Sequence, residues 1–323
     1  MAKPRIVVTR RWPAQVESAL TERYDATLND SDTPLSVEEL QAALRSADAV
    51  CPTVCDRISA EVLGGSGVKA RILGNFGVGY NHIDLEAAKK AGLVVTNTPE
   101  VLTDCTADIA MTLMLMVARR AGEGERHVRS KAWSGWRPTH MMGTKVTGKV
   151  LGLIGFGRIA QAMARKAHFG FGMKIIFHDP FPPAGEICNA VGAVRCDSLD
   201  EVLRDADFVS LHCPGGKETY HLLNAERIGL MKRSAYLVNT ARGDVVDAQA
   251  LIGALQDHRI AGAGLDVYEG EPAVPAALLE MDNVVLLPHL GSASVETRVA
   301  MGMRVVANLD AFFAGREPRD RVV

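Results

Sequence analysis

The 323-residue sequence has no surplus of either charge: 36 Lys and Arg against 38 Asp and Glu leave a net charge of -2, and no long basic run breaks that balance. Nucleic acid or an anionic membrane surface therefore has no electrostatic reason to be the partner. Long apolar runs are also missing. The longest, "IAMTLMLMVA" at 109–118, lies between Asp108 and the pair Arg119 and Arg120, well short of the roughly 20 residues that a membrane span needs. The opening "MAKPRIVVTRRW" has too little apolar sequence for a signal peptide and no small-residue cleavage site, so a soluble cytoplasmic protein is expected. The six cysteines, at 51, 55, 105, 188, 196 and 213, form no C-x-x-C pair, and no His is placed to complete a zinc site. No metal is expected, and the thiols are expected to be free and buried in a reducing compartment. Neither a solenoid-period repeat nor a low-complexity tract is present.

What the sequence has is ample hydrophobic residues, 47%, and enough length for two domains of ordinary size. Over the first hundred residues short β-branched runs alternate with helical patterns: "RIVVTR" then 13–22, "YDATLN" then 37–45, "DAVCPT" then 60–63, "ARILGNF" then 84–91, and "GLVVTNTP". A second series runs through "KVLGLIG", "MKIIFHD", "DFVSLHC", "AYLVNT", "IAGAGLDV" and "NVVLLPH". Alternation of this kind predicts parallel sheets with helices on both faces, so the fold class is α/β with two doubly wound domains in tandem. Between them, 106–133 reads as one long helix whose first half is apolar on every side, which predicts burial against the other domain or another subunit. A last helical pattern after Ser294 is expected to return to the first unit.

Gly155-x-Gly157-x-x-Ala160 falls between a predicted strand and a predicted helix. Gly155 permits the tight turn, Gly157 lets backbone approach a pyrophosphate, and Ala160 is small where helix meets strand. The amides of Phe156, Gly157, Arg158 and Ile159, at a helix start, suit an anion. The next strand ends at Asp179, 22 residues after Gly157, and Pro180, Phe181, Pro182 and Pro183 follow without an Arg. A carboxylate there accepts from both ribose hydroxyls and repels a 2'-phosphate, so the cofactor is expected to be NAD, with NADH preferred over NADPH.

In doubly wound sheets ligands sit beyond the carboxyl ends of the strands. The later strands end in "VNTARGDVVD", "GLDVYEGEP" and "LLPHLGSAS", which present Arg242, Glu271 and His289. Taken alone, His289 reads as one more packed histidine. Together with "NFGVGYNHID", "TNTPEVLTDCTAD" and "GLIGFGRIA", however, these motifs make the chain resemble the D-2-hydroxyacid dehydrogenases over nearly its whole length. Within that family "NTPEVLTDCTAD" and "WSGWRPTHMMG" are most similar to glyoxylate and hydroxypyruvate reductases.

The resemblance implies a flavodoxin-like substrate domain made of 1–99 and 292–323 and a Rossmann NAD-binding domain of 100–291, with a dimerisation helix and arm near 106–142. It implies an active site of Arg242, Glu271 and His289 in a cleft that hinge closure would seal. The chemistry agrees. Arg242 can engage a 2-oxo acid's carboxylate and ketone with its planar fork. Histidine is the side chain type able to donate a proton near neutrality, as a reduction needs of His289, and a carboxylate such as Glu271 beside it would favour the imidazolium. Gly77, Val78 and Gly79 form a small-residue loop whose amides suit a carboxylate, and Trp136, in the arm of a homodimer, would limit substrate size. Further cofactor contacts implied by the resemblance are Thr106, His212, Cys213, Pro214, Thr219, Thr240, Ala241, Asp266, His289 and Gly291. Val54 and Met141 are further candidates for the pocket wall, while Tyr220 and His221 have no assigned role. Val78 stands where related phosphonate dehydrogenases carry a Lys, and Glu271 where formate dehydrogenases carry a Gln. Few basic residues flank the loop, which disfavours the phosphorylated substrate of a phosphoglycerate dehydrogenase. An NAD-sensing scaffold resembling the C-terminal binding corepressors is the expected rival.

Overall fold

A computed structural model describes all residues except Met1, Ser66, Pro183 and Ala184. It forms two compact units, one of 1–102 with 293–323 and one of 103–292.

The first unit holds five parallel strands: β1 (Arg5–Val8), β2 (Asp25–Thr27), β3 (Ala49–Cys51), β4 (Ile72–Gly74) and β5 (Val94–Thr96). Their order is β2-β1-β3-β4-β5, the flavodoxin-like arrangement of a doubly wound sheet. Central β3 and β4 are buried at every position, as strands covered on both faces must be. Helix 37–46 starts at a capping box in which Ser36 and Glu39 satisfy each other's amides. The helix Val295–Phe313, capped by Ser294, belongs to this unit. Gly302 lets it seat on the helix Ala14–Arg23, since a Cβ there would come within 2.6 Å of Val16.

Seven parallel strands make the second sheet: β6 (Val150–Ile154), β7 (Lys174–His178), β8 (Val194–Arg195), β9 (Phe208–Leu211), β10 (Tyr236–Asn239), β11 (Gly262–Leu265) and β12 (Val284–Leu286). The order β12-β11-β10-β9-β6-β7-β8 reverses direction of winding between β6 and β9, which makes that pair the topological switch point of a Rossmann fold. Both sheets are therefore doubly wound, as the alternating pattern predicts.

The long helix expected over 106–133 is two helices, Thr103–Ala118 and Ala121–Arg129. The break has a local cause. Arg120 takes a left-handed conformation (φ 53°), its guanidinium pairs with Glu123, and the returning chain donates the Thr144 amide to the Ala118 carbonyl, ending the first helix. Trp133 and Trp136 lie beyond the second helix. The apolar surface of 103–118 is buried within its own unit, on helix 158–171 and on β10 and β11. Gly264 of β11 admits Leu113 so closely that a Cβ would stand 2.9 Å from it. All six cysteines are unpaired, but only Cys51 is fully buried and Cys55 is exposed, so the expectation of buried thiols holds for one. Among the described residues no helix is long and apolar enough to cross a membrane.

Candidate active site

The turn after β6 meets the end of β9 backbone to backbone. Gly155 has φ 82°, and a Cβ there would lie 2.9 Å from the Cys213 nitrogen and 3.0 Å from the His212 carbonyl carbon. Only glycine fits, for conformation and for space. Helix Arg158–Phe171 begins at Gly157 with no side-chain cap, as a helix start that takes an outside acceptor requires, and the space where a Gly157 Cβ would sit is open. The Phe156 ring is in the core, stacked on Phe177, and its amide, expected to serve an anion, instead donates to Asp179 at 2.7 Å. The second Asp179 oxygen accepts the Phe181 amide, also at 2.7 Å. Asp179 thereby ties the glycine turn to the end of β7. Of the residues after it, Pro183 lies outside the described residues, and Phe181 is 87% exposed. Arg195, brought alongside by the pairing of β7 with β8, donates to the Asp179 carbonyl at 3.4 Å.

The backbone of His212 and Cys213 lines this crevice, while the His212 ring is buried against Ser210 and Met163. Burial alone drives its pKa down to about 4, so the ring is neutral and takes no part as an acid. Thr219 spends its hydroxyl on the Pro214 carbonyl, at 2.7 Å, closing the loop after β9. At the end of β10 the Thr240 hydroxyl is buried with no partner among the described residues. An orphaned donor at the same carboxyl edge of the sheet as the uncapped helix start, two strands along, fits a bound dinucleotide, because such a group is costly to bury unmatched.

Arg242 is aimed by Asn239. That buried amide accepts from the Ala241 nitrogen at 3.0 Å and donates to the Arg242 carbonyl at 2.9 Å, so the chain turns back at the strand end. The guanidinium, mostly buried, donates to the Ala241 carbonyl at 2.6 Å. Burial pulls its pKa below the ordinary arginine value, against the opposing charges of Glu271 and Asp244. It stays charged at any physiological pH.

His289 is held by one residue. The Asp266 carbonyl accepts the His289 amide at 2.9 Å, and its two carboxylate oxygens take the amides of Leu290 (2.6 Å) and Gly291 (2.8 Å). His289 has φ 57°, a left-handed backbone that costs a β-carbon residue on the order of 1–3 kcal/mol. Three hydrogen bonds to Asp266 offset that strain. Thr106 closes the cluster, since a Cβ on Gly291 would touch both it and Asp266 at 3.3–3.6 Å.

The imidazole Nδ1 of His289 stands 2.9 Å from Glu271 Oε2. A carboxylate only accepts, so Nδ1 carries the proton of this bond and Nε2 is left for chemistry. Glu271 Oε1 accepts the Tyr268 amide at 2.9 Å. Burial works against the ionised form of Glu271, but the His289 bond, the Tyr268 amide and the charges of His289 and Arg242 outweigh it and hold the carboxyl below its ordinary range. The arrangement can deliver and take back a proton beside a fixed cation.

In the first unit, the loop after β4 carries Gly77, Val78 and Gly79. Asn75 donates to the carbonyls of Gly77 and Gly79, both at 3.0 Å, and Asn97 to that of Val78 at 2.9 Å. The Gly77 amide is committed to the Asn75 carbonyl, while those of Val78 and Gly79 donate to no acceptor among the described residues. Two unspent amides in succession can hold an anion. Val54 stands beside the loop, its Cγ1 3.1 Å from where a Gly77 Cβ would be.

Residues 111–291 match the family model described as D-isomer specific 2-hydroxyacid dehydrogenase, NAD binding domain. A glyoxylate reductase of Thermococcus onnurineus is 43% identical over 98% of this chain and 95% of its own. The chain belongs to the D-isomer specific 2-hydroxyacid dehydrogenase family. A glyoxylate reductase of Korarchaeum cryptofilum is similar too, 44% identical over 99% of this chain and 96% of its own. Among solved structures, an NADPH-dependent glyoxylate/hydroxypyruvate reductase of Sinorhizobium meliloti superposes with a TM-score of 0.88 at 34% identity, covering 100% of this chain and 97% of that one. A Thermus thermophilus protein superposes with a TM-score of 0.90 at 42% identity, over 99% and 100%.

For a member of this dehydrogenase family, the residues that sequence patterns pass over are those that aim the conspicuous ones. Asn75 follows β4 and Asn239 ends β10, each bends the next turn, and an Asn at the end of an apolar run is the signal that marks them. Arg195 reaches Asp179 only through the register of β7 with β8, which nothing in the local sequence announces.

Proposed function

We propose that the chain reduces small 2-oxo acids, glyoxylate and hydroxypyruvate foremost, to 2-hydroxy acids, with NADH preferred to NADPH. The observation that carries this is the 2.9 Å Glu271–His289 pair at the ends of β11 and β12, with the charge of Arg242 felt at Glu271. A nicotinamide, when bound by the Gly155–Ile159 turn, Asp179, Thr240, Ala241 and the Thr106–Asp266–Gly291 cluster, supplies the hydride. His289 Nε2 gives the carbonyl oxygen its proton and is left neutral; Glu271 stays ionised and favours reloading of the imidazolium. Arg242 engages the carboxylate and the ketone oxygen, and so orients the carbonyl and stabilises the negative charge that grows on it. The amides of Val78 and Gly79 bind the substrate carboxylate. In the reverse direction the same imidazole is the base.

The nucleotide preference rests on Asp179. A 2'-phosphate would meet its carboxylate, and Arg195 sits on its backbone carbonyl instead of beside the carboxylate oxygens. We also propose a homodimer formed through 121–142, where Val128 (58%), Trp133 (53%), Trp136 (81%) and Met142 (68%) are exposed beyond what a lone surface favours. Trp136 of that arm would then limit substrate size. We also propose a cytoplasmic location, which cysteines left unpaired support.

Initial rates of NADH and NADPH oxidation with glyoxylate, hydroxypyruvate, pyruvate and phosphohydroxypyruvate test the whole. Fast turnover of the first two with NADH is expected. Equal KM values for the two nucleotides would remove the preference, and a His289→Gln enzyme with undiminished rate would remove the proton donor.

A further inference from the structure

The stretch Glu269-Gly270-Glu271 carries two carboxylates, and each meets a histidine from a different strand end. Glu271 meets His289, after β12. Glu269 Oε1 lies 2.9 Å from His221 Nε2, after β9, and accepts from the Tyr220 hydroxyl at 3.3 Å. The Tyr220 and His221 rings are stacked, 3.9 Å between centroids at 16°. His221 is also tied to the Arg242 turn: its amide donates to the Asp244 carbonyl at 2.8 Å, and Leu223 and Val245 continue that pairing. Gly243 packs so tightly on the 268–269 peptide that a Cβ would fall 1.9 Å from the Tyr268 carbonyl carbon. Between the two carboxylates Gly270 has φ 79°, the residue best able to let Glu271 wander.

We propose that His221 is a positioning residue: by holding Glu269 it fixes the loop across Gly270, so that Glu271 arrives within hydrogen-bond reach of His289. This rests on the roles given above to Glu271 and His289. Neither member of the outer pair touches the reacting groups, and both are partly exposed, with 28% of the His221 and 33% of the Glu269 side chain accessible. Burial therefore contributes little there, and what the pair supplies is registration. The other charged groups facing His221 are Asp247, 4.0 Å away, and Asp244, with which it interacts electrostatically. A carboxylate displaced by even a fraction of an ångström no longer meets the proton donor in the productive geometry.

His221→Phe keeps the ring stack and removes the N–H; His221→Gln keeps an N–H at the reach of Nε2. Both are compared with wild type, Glu269→Gln, Glu271→Gln and His289→Gln for kcat, KM, NADH affinity by fluorescence, and the pH–rate profile, using the 2-oxo acid that wild type reduces fastest. His221→Phe is expected to lower kcat about tenfold, as a small misplacement of a catalytic group does. KM is expected to change by less than about twofold, as befits an interaction realised in the transition state. NADH affinity should hold, the pH–rate profile should change in the same sense as in Glu271→Gln, and His221→Gln should restore most of the rate. Glu269→Gln should reproduce the defect if the Phe variant folds poorly. In a Glu271→Gln background His221→Phe should add almost nothing. Wild-type rates and profile in His221→Phe and Glu269→Gln, with His289→Gln inactive, would overturn the positioning role alone. So would a loss that Gln does not rescue and that lowers Tm and NADH affinity together. A fully active His289→Gln would remove the chemistry on which the proposal stands.

Discussion

Glu271→Gln isolates the charge of the Glu271–His289 pair while keeping an acceptor in place. The bond is 2.9 Å long, and both side chains are 34% accessible. A hydrogen bond to a charged group contributes about 1.5–3 kcal/mol, and a third of exposure discounts this to about 1–2 kcal/mol. At 1.36 kcal/mol per tenfold, kcat for reduction should fall about 5- to 30-fold. The pH dependence has a definite sign. Because the Glu271 carboxyl is held below its ordinary range, the contribution of its charge is complete above the unfolded carboxyl's range and is lost only as pH falls through the lowered folded value. Wild type therefore has its carboxylate throughout neutrality, and the variant's full rate deficit should be seen there. The two enzymes should converge in acid, where wild type loses the same charge. Steady-state NADH oxidation across pH measures this. A constant ratio of rates at every pH would refute the role of the carboxylate.

Arg242→Lys keeps a cation but loses the fork, and Asn239 continues to shape its turn. Both KM for the 2-oxo acid and kcat should worsen, by about 100-fold or more in kcat/KM, with NADH affinity retained; unchanged kcat/KM would show that a point charge suffices. Gly243→Ala places a Cβ 1.9 Å from the Tyr268 carbonyl carbon, and the overlap is backbone on backbone. A loss of about 1–3 kcal/mol in unfolding free energy is expected together with a fall in kcat, because the loop that yields carries Glu271; a stable, fully active variant would show the loop to be indifferent to position.

Much of this protein is legible along the chain because local rules act on neighbouring residues. Parallel sheets come from alternating β-branched runs and helical patterns, and the proposed anion site from a glycine turn between strand and helix. Arg242, Glu271 and His289 are conspicuous because each is a strong functional group at a strand end, where a doubly wound fold exposes its ligand face. Other features depend on what distant segments do to one another. The helical pattern over 106–133 has no Pro to mark its break, and Thr144 returning onto the Ala118 carbonyl ends it. Asp266 has the look of a residue that faces a ligand, and its carboxylate also accepts the amides of Leu290 and Gly291, 24 and 25 positions away. Arg195 joins Asp179 through strand register, and His221 joins Glu269 across 48 positions. The sequence by itself determines which chemical groups the protein carries and which strand ends present them, because those depend on local propensity and spacing. Which of those groups meet, and which are consumed in holding others still, only the tertiary structure decides, because hydrogen bonds between remote segments exist only once the sheet has set their distance.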